Sequence, residues 1–239
     1  WIMLLDQNYK NGWNYYDSRH KISVPYLPHA IPKCKYVNIT KFNQIEQLLL
    51  VTEQGLGDTL QFMRYAISLK QQGLRISICA QPKLHSLIQA SGLDPSPLTP
   101  EQGNQVSQGQ WIPLLSVPRH LAVTPDHPII TEPYIKTTAP LISKWEDILS
   151  EEPKHVIGIN WQGNPGTEVS VHQGRSVPLE TFAPITAQNN LALLSLQKGF
   201  GSEQLSNCSF QDRFVSCQPL INETWDFLET AAIIANCDL

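Results

Sequence analysis

One stretch constrains this chain more than any other: LLLVTEQGLGDTLQFMRYAISLKQQGLRISICAQP, residues 48–82. It opens with the apolar run Leu48 to Val51, as expected of a strand covered on both faces in a parallel sheet. The run breaks at Glu53-Gln54-Gly55-Leu56-Gly57-Asp58. Apolar residues then return at helical spacing as Leu60, Met63, Ala66, Ile67 and Leu69. Asp58 is expected at the N-cap of that helix and Gly73 at its C′ position. Leu74, Ile76 and Ile78 alternate as a second strand, and Pro82 opens a further helix through Leu84, Leu87 and Ile88. This is a β-α-β-α unit, which places the chain in the α/β class.

A second cycle begins near Pro140. Leu141, Ile142, Trp145, Ile148 and Leu149 share one helical face, and Pro153 is expected to stop that helix. HVIGINWQGNP follows as a strand entering a polar loop, SVPLETFAPI as a short helix, and LALLSLQKG as another strand. NETWDFLETAAIIANCDL predicts a helix with Asn222 as N-cap and Trp225, Leu228, Ala232 and Ala235 in register. Cys237-Asp238-Leu239 would start a further strand, so the second sheet is expected to be incomplete. The opening on Trp1 and the close on Leu239 suggest a fragment at both ends. Between the cycles, WIPLLSVPRHLA predicts a short strand and a turn at the end of the first sheet. The expected division is 1–45, a helical end with an aromatic- and proline-rich connector (Pro25, Pro28, Pro32); 46–139, a first Rossmann-like domain; and 140–239, a second.

Composition narrows the function classes. The formal net charge is −4 and no run of Lys or Arg appears, which argues against a nucleic-acid surface. No apolar segment approaches the ~20 residues of a membrane span. The five cysteines, Cys34, Cys79, Cys208, Cys217 and Cys237, have no zinc-site spacing and read as reduced thiols of a soluble, cytoplasmic protein. The histidines, His20, His29, His85, His120, His127, His155 and His172, form no H-x-H or H-E-x-x-H pair, so metal binding has no support. The absence of G-x-S-x-G argues against an α/β-hydrolase.

Three loops carry candidate chemistry. In EQGLGDT, Gln54, Gly55 and Gly57 would let the backbone approach a substrate, and Asp58 would set a carboxylate at a strand's carboxyl end, where ligands of parallel sheets bind. A tight turn with Asp58 as a plain helix cap remains the alternative. G-x-G-D is neither the dinucleotide fingerprint nor a Walker A loop, which counts against a dinucleotide oxidoreductase. In NWQGNPGTEVSVHQGRSVPL, Asn160, Gln162 and Asn164 offer neutral hydrogen-bonding groups. Arg175-Ser176 stands before a helix, where a phosphate could be held. The alternative is a long polar loop, in which His172 is a solvated side chain. SLQKG adds Gln197 and Lys198 at another strand end, the lysine being open to a solvated reading.

Taken in order, LLLVTEQGLGDTLQFMRYA, QPKLHSLIQASG, PLLSVPRHL, IGINWQGNP, GRSVPLETFAPI, LLSLQKG and DFLETAAIIANCDL resemble the glycosyltransferase-like region that follows tetratricopeptide repeats in many bacterial proteins. That region is similar to the ADP-heptose:lipopolysaccharide heptosyltransferases and, more distantly, to the O-linked N-acetylglucosamine transferases. The resemblance covers nearly all of residues 46–239. The opening LDQNYKNGWNYYDSRHKI resembles the end of the preceding repeats, a possible protein-binding region.

The resemblance implies a GT-B architecture, two Rossmann-like domains across a cleft, and an inverting, metal-independent transfer with no cofactor besides a nucleotide-sugar substrate. It implies that Asp58 is the general base toward an acceptor, either protein or saccharide. Asn160, Trp161, Gly163 and Asn164 would form the donor loop, and Arg175 and Lys198 would be the cations facing the diphosphate. In the family the chain continues past CDL into a D-T-x-x-x-H-type loop that grips the diphosphate. The 239 residues are therefore expected to be inactive alone. The alternative is a non-catalytic binding or scaffold protein that keeps the fold.

Overall fold

The computed structural model describes residues 2–21, 27–37, 42, 45–130, 132–152, 154–168 and 174–239. His172, Pro25 and Pro153 lie outside them. Two compact units divide the chain, Trp1–Lys136 and Thr137–Leu239.

The first unit begins with the helices α1 (Ile2–Leu5) and α2 (Tyr9–Tyr16), followed by a 3-10 turn, Asp17–Lys21. Strands β1 (Lys35–Tyr36) and β2 (Gln47–Val51) come next, then helices α3 (Leu56–Phe62) and α4 (Arg64–Gln71) and strand β3 (Arg75–Cys79). Helices α5 (His85–Ala90) and α6 (Pro100–Gly103), strand β4 (Gln110–Pro113) and helix α7 (Val117–His120) complete it. The strands form one parallel sheet in the order β1-β4-β2-β3, with Leu49 level with Ser77 on one side and Trp111 on the other.

Alternation decides the layers of this sheet. Leu49 and Val51 join Ala30, Cys34, Cys79 and Trp111 in one cluster. Leu48 and Leu50, pointing the other way, are equally buried. Helix α4 ends as its glycine requires. Gly73 takes φ +89°, its N–H reaches the Lys70 carbonyl and that of Leu74 the Leu69 carbonyl, the paired bonds of a Schellman stop.

Several expectations change. WIPLLSVPRHLA does supply a strand, but β4 lies inside the sheet, between β1 and β2. Its Pro113 occupies the last strand position, where a missing N–H is tolerated. The single helix read after Asp58 is divided at Met63. Asp58 is its third residue, and Gly55 is the N-cap. Residues 9–21 and 27–37 pack within the first unit: the Trp13 indole donates to the Val123 carbonyl at 2.8 Å, and His29 N–H to the Thr52 carbonyl at 2.9 Å.

The second unit contains α8 (Ala139–Leu149), β5 (His155–Ile159), α9 (Pro165–Glu168), a 3-10 stretch (Leu179–Ala187), β6 (Leu191–Ser195), α10 (Gln218–Glu223) and α11 (Phe227–Ala235). β5 and β6 pair in parallel, Ile157 level with Leu193. One face buries Val156, Ala192 and Leu194 against Trp145, Leu149, Ile221 and Ile233. The other sets Ile159 and Leu193 against Trp161, Leu179 and Phe210. SVPLETFAPI is thus 3-10 rather than α-helical, with Pro184 inside it removing a donor. Asn222 belongs to α10, Asp226 caps α11 through the Leu228 N–H at 3.1 Å, and Trp225 between them is 69 % exposed rather than in register. The last residues lie beside β5: Asp238 N–H donates to the Val156 carbonyl at 2.8 Å and Gly158 N–H to that of Leu239 at 2.7 Å. Among the described residues no helix is long and apolar enough to cross a membrane.

Candidate functional site

In the first unit the candidate residues follow directly on β2. Gln54, a non-glycine residue at φ +61°, turns the chain out of the strand. Such a conformation persists where the surroundings over-determine it. Here its carbonyl accepts from His29 Nε2 at 3.1 Å and Gln81 Nε2 at 3.4 Å, and its side-chain amide donates to the Tyr16 hydroxyl at 3.2 Å. Asp58 then folds back, its Oδ2 accepting the Gly55 N–H at 3.0 Å. The capping role and a partly exposed carboxylate coexist in one side chain. Gly55 has a reason of packing, since a Cβ there would meet Asp58 Oδ2 at 3.1 Å. Gly57 has none: nothing lies within 4 Å of where its Cβ would stand.

Beneath the loop lies a pair that pattern reading missed. Glu53 is fully buried and Arg19 is 5 % exposed. Two parallel bonds join them, Nε to Oε2 at 3.0 Å and the outer nitrogen Nη2 to Oε1 at 2.5 Å. Leu115 N–H also donates to Glu53 Oε1, at 3.3 Å. Arg19 further donates to the Ser116 hydroxyl at 2.9 Å, to the Tyr16 carbonyl at 3.2 Å and to Asp17 at 3.2 Å, and its guanidinium lies 4.5 Å from the Tyr16 ring centre. Burial pulls the arginine pKa down, but the Glu53 bonds and charge outweigh it and the net direction is up. A signal existed in the sequence, for a carboxylate closing an apolar strand must find a partner when buried. Which arginine answers it, 34 residues away, no local pattern tells.

In the second unit Gln197 organises the candidate loop. It is buried at the carboxyl end of β6; its Oε1 accepts the Trp161 and Gln162 N–H groups at 3.2 and 3.0 Å, and its Nε2 donates to the Gln162 and Phe200 carbonyls at 3.0 and 2.5 Å. The Trp161 indole donates to the Gly201 carbonyl at 3.2 Å. Gln197 and Trp161 are therefore the loop's internal frame, and Gln162 shares in it through Gln204 at 3.1 Å. The Arg175 guanidinium covers Gly163, so a Cβ there would make this half-exposed side chain swing aside. Ser176 accepts the Gly163 N–H at 2.9 Å and donates to Glu168, which lies 3.5 Å from Arg175 Nε. Asn164 is exposed and accepts the Gly166 N–H two residues on at 2.9 Å, and Asn160 is likewise exposed.

Trp161, Gly163, Arg175, Ser176 and Gln197 thus come together. Lys198 diverges: half-buried, it donates to the Ile221 carbonyl of α10, and burial lowers its pKa. It is not the solvated surface charge that lysines at strand ends commonly are.

Two cavities lie elsewhere. One of ≈ 460 Å³ is lined by Lys154, His155, Asn190 and Asp238, at the amino end of β5. Another of ≈ 510 Å³ lies by α4 and the end of α5, among Lys70, Gly92, Ile129 and Tyr134. Neither of these two occupies the carboxyl ends of the strands, where parallel sheets present ligand-binding loops. Among the described residues no group of three or more His, Cys, Asp or Glu is placed to hold a metal ion. Compared with known proteins, the chain matches no family model, no curated protein and no solved structure.

Proposed function

We propose that the chain supplies the two α/β units of a GT-B glycosyltransferase, which moves a sugar from a nucleotide sugar to an acceptor hydroxyl with inversion and without a metal. The observation that carries this reading is positional. In each unit the polar groups singled out by the resemblance follow the carboxyl ends of parallel strands, Asp58 after β2 and the Gln197-framed loop with Lys198 after β5 and β6. Asp58 Oδ2 is engaged by the Gly55 N–H, leaving Oδ1 to take the acceptor's proton. The deprotonated oxygen bonds to the anomeric carbon as the bond to the diphosphate breaks. Arg175 meets the negative charge that the leaving diphosphate gains, and Lys198 joins it on releasing the Ile221 carbonyl. The thiols, none of them in a disulfide, support a reducing and hence cytoplasmic setting.

The test is titration of ADP-, UDP- and GDP-sugars into the full gene product, beside an Asp58→Asn variant. An asparagine carbonyl can still accept the Gly55 N–H, so the variant should fold and bind donor while turnover falls on the order of 10²- to 10⁴-fold. A folded protein that binds none of these nucleotide sugars overturns the transferase reading in favour of a non-catalytic scaffold.

A further inference from the structure

We infer that Arg19 and Glu53 are positioning residues, which together with Tyr16 and His29 hold the Gln54–Asp58 loop in its working conformation. Three contacts converge on the two residues where β2 becomes loop. Arg19 grips Glu53 with two bonds, the Tyr16 hydroxyl accepts from the Gln54 side chain, and His29 Nε2 donates to the Gln54 carbonyl. Pro28 and Glu53 also form an antiparallel bridge. Between them lies Gln54, held at a φ that a free residue of its type seldom adopts.

The chemistry chosen is more specific than stability requires. An apolar pair of similar volume would fill the same space without two desolvated charges. A guanidinium clamped on a carboxylate fixes distance and plane together. The carboxylate it fixes is the residue next to Gln54 and five before Asp58. The consequence for catalysis rests on the transferase reading; the mechanical role does not.

Amide hydrogen exchange of the full chain tests the mechanical role without a ligand. The double variant Arg19→Met, Glu53→Met removes both charges together, so no buried charge is left alone, and its melting temperature should fall only by what the Leu115 N–H, Ser116 hydroxyl and Tyr16 carbonyl lose with their partners. Exchange in the peptide spanning residues 53–60 should nevertheless quicken about tenfold, with β3 unaffected. Parent-like exchange there, in a folded double variant, overturns the inference. If that variant fails to fold, Arg19→Lys serves instead, keeping the charge but losing the fork. Faster exchange confined to residues 53–60 is again expected, and unchanged exchange is again fatal. A protein that binds no nucleotide sugar but loosens locally in this way refutes the transferase reading and leaves the positioning role standing.

Discussion

His29, like Lys198, is a residue whose charge the fold opposes. Its Nε2 faces the Gln54 carbonyl and must donate, so in the neutral ring Nδ1, 2.8 Å from the Thr52 hydroxyl, is the acceptor. Burial holds its pKa below the ordinary 6.5, only partly offset by the Gln54 hydrogen bond and the charge of Glu53. The unfolded chain therefore binds the proton first as the pH falls. Stability from this group is complete above about pH 6.5 and is lost as the pH drops from there toward the folded-state pKa. Urea unfolding midpoints at pH 7.5 and 5.5 should differ less in a His29→Gln variant than in the parent, by the equivalent of at most one proton. Equal differences would mean that the imidazole titrates alike in both states.

At the scale of elements, α3 offers a test that separates stability from function. Gly57 sits inside this helix with open space where a Cβ would go. Gly57→Ala should stabilise the protein by up to about 1 kcal/mol, because glycine loses more backbone freedom on entering a helix. If the loop approaches a substrate at this point, the same variant should lose sugar transfer. A stabilised and fully active variant would remove the close-approach role.

The helices and strands around this loop were legible because their apolar residues repeat at 3.6 or 2 over enough positions to be read. β4 was legible as a short strand but was placed at the end of the first sheet rather than inside it. Four residues, one of them Pro113, carry too little period to say whether they border a sheet or run through its middle. Asp226, not Asn222, caps α11 because the chain must first finish α10, and two polar residues suited to capping cannot be ranked by type alone.

For the whole molecule the thiols give the broadest check. All five cysteines are free; Cys34, Cys79 and Cys208 are buried, and burial raises Cys79 and Cys237 to about 11. At pH 8 a thiol reagent should therefore find the folded chain slow to react, and without added reductant it should count five thiols once the chain is unfolded in denaturant. A lower count in denaturant would reveal a disulfide.

The amino-acid order determined by itself the α/β class, the two cycles of strand and helix, and the stop at Gly73, since each follows from contacts within a few residues. Tertiary structure alone decided three further things. It placed β4 between β1 and β2, closed Arg19 on Glu53, and turned Gln197 inward to frame a loop. Each of the first two joins groups tens of residues apart, and a buried donor or acceptor takes its partner from whatever the packed chain brings within reach.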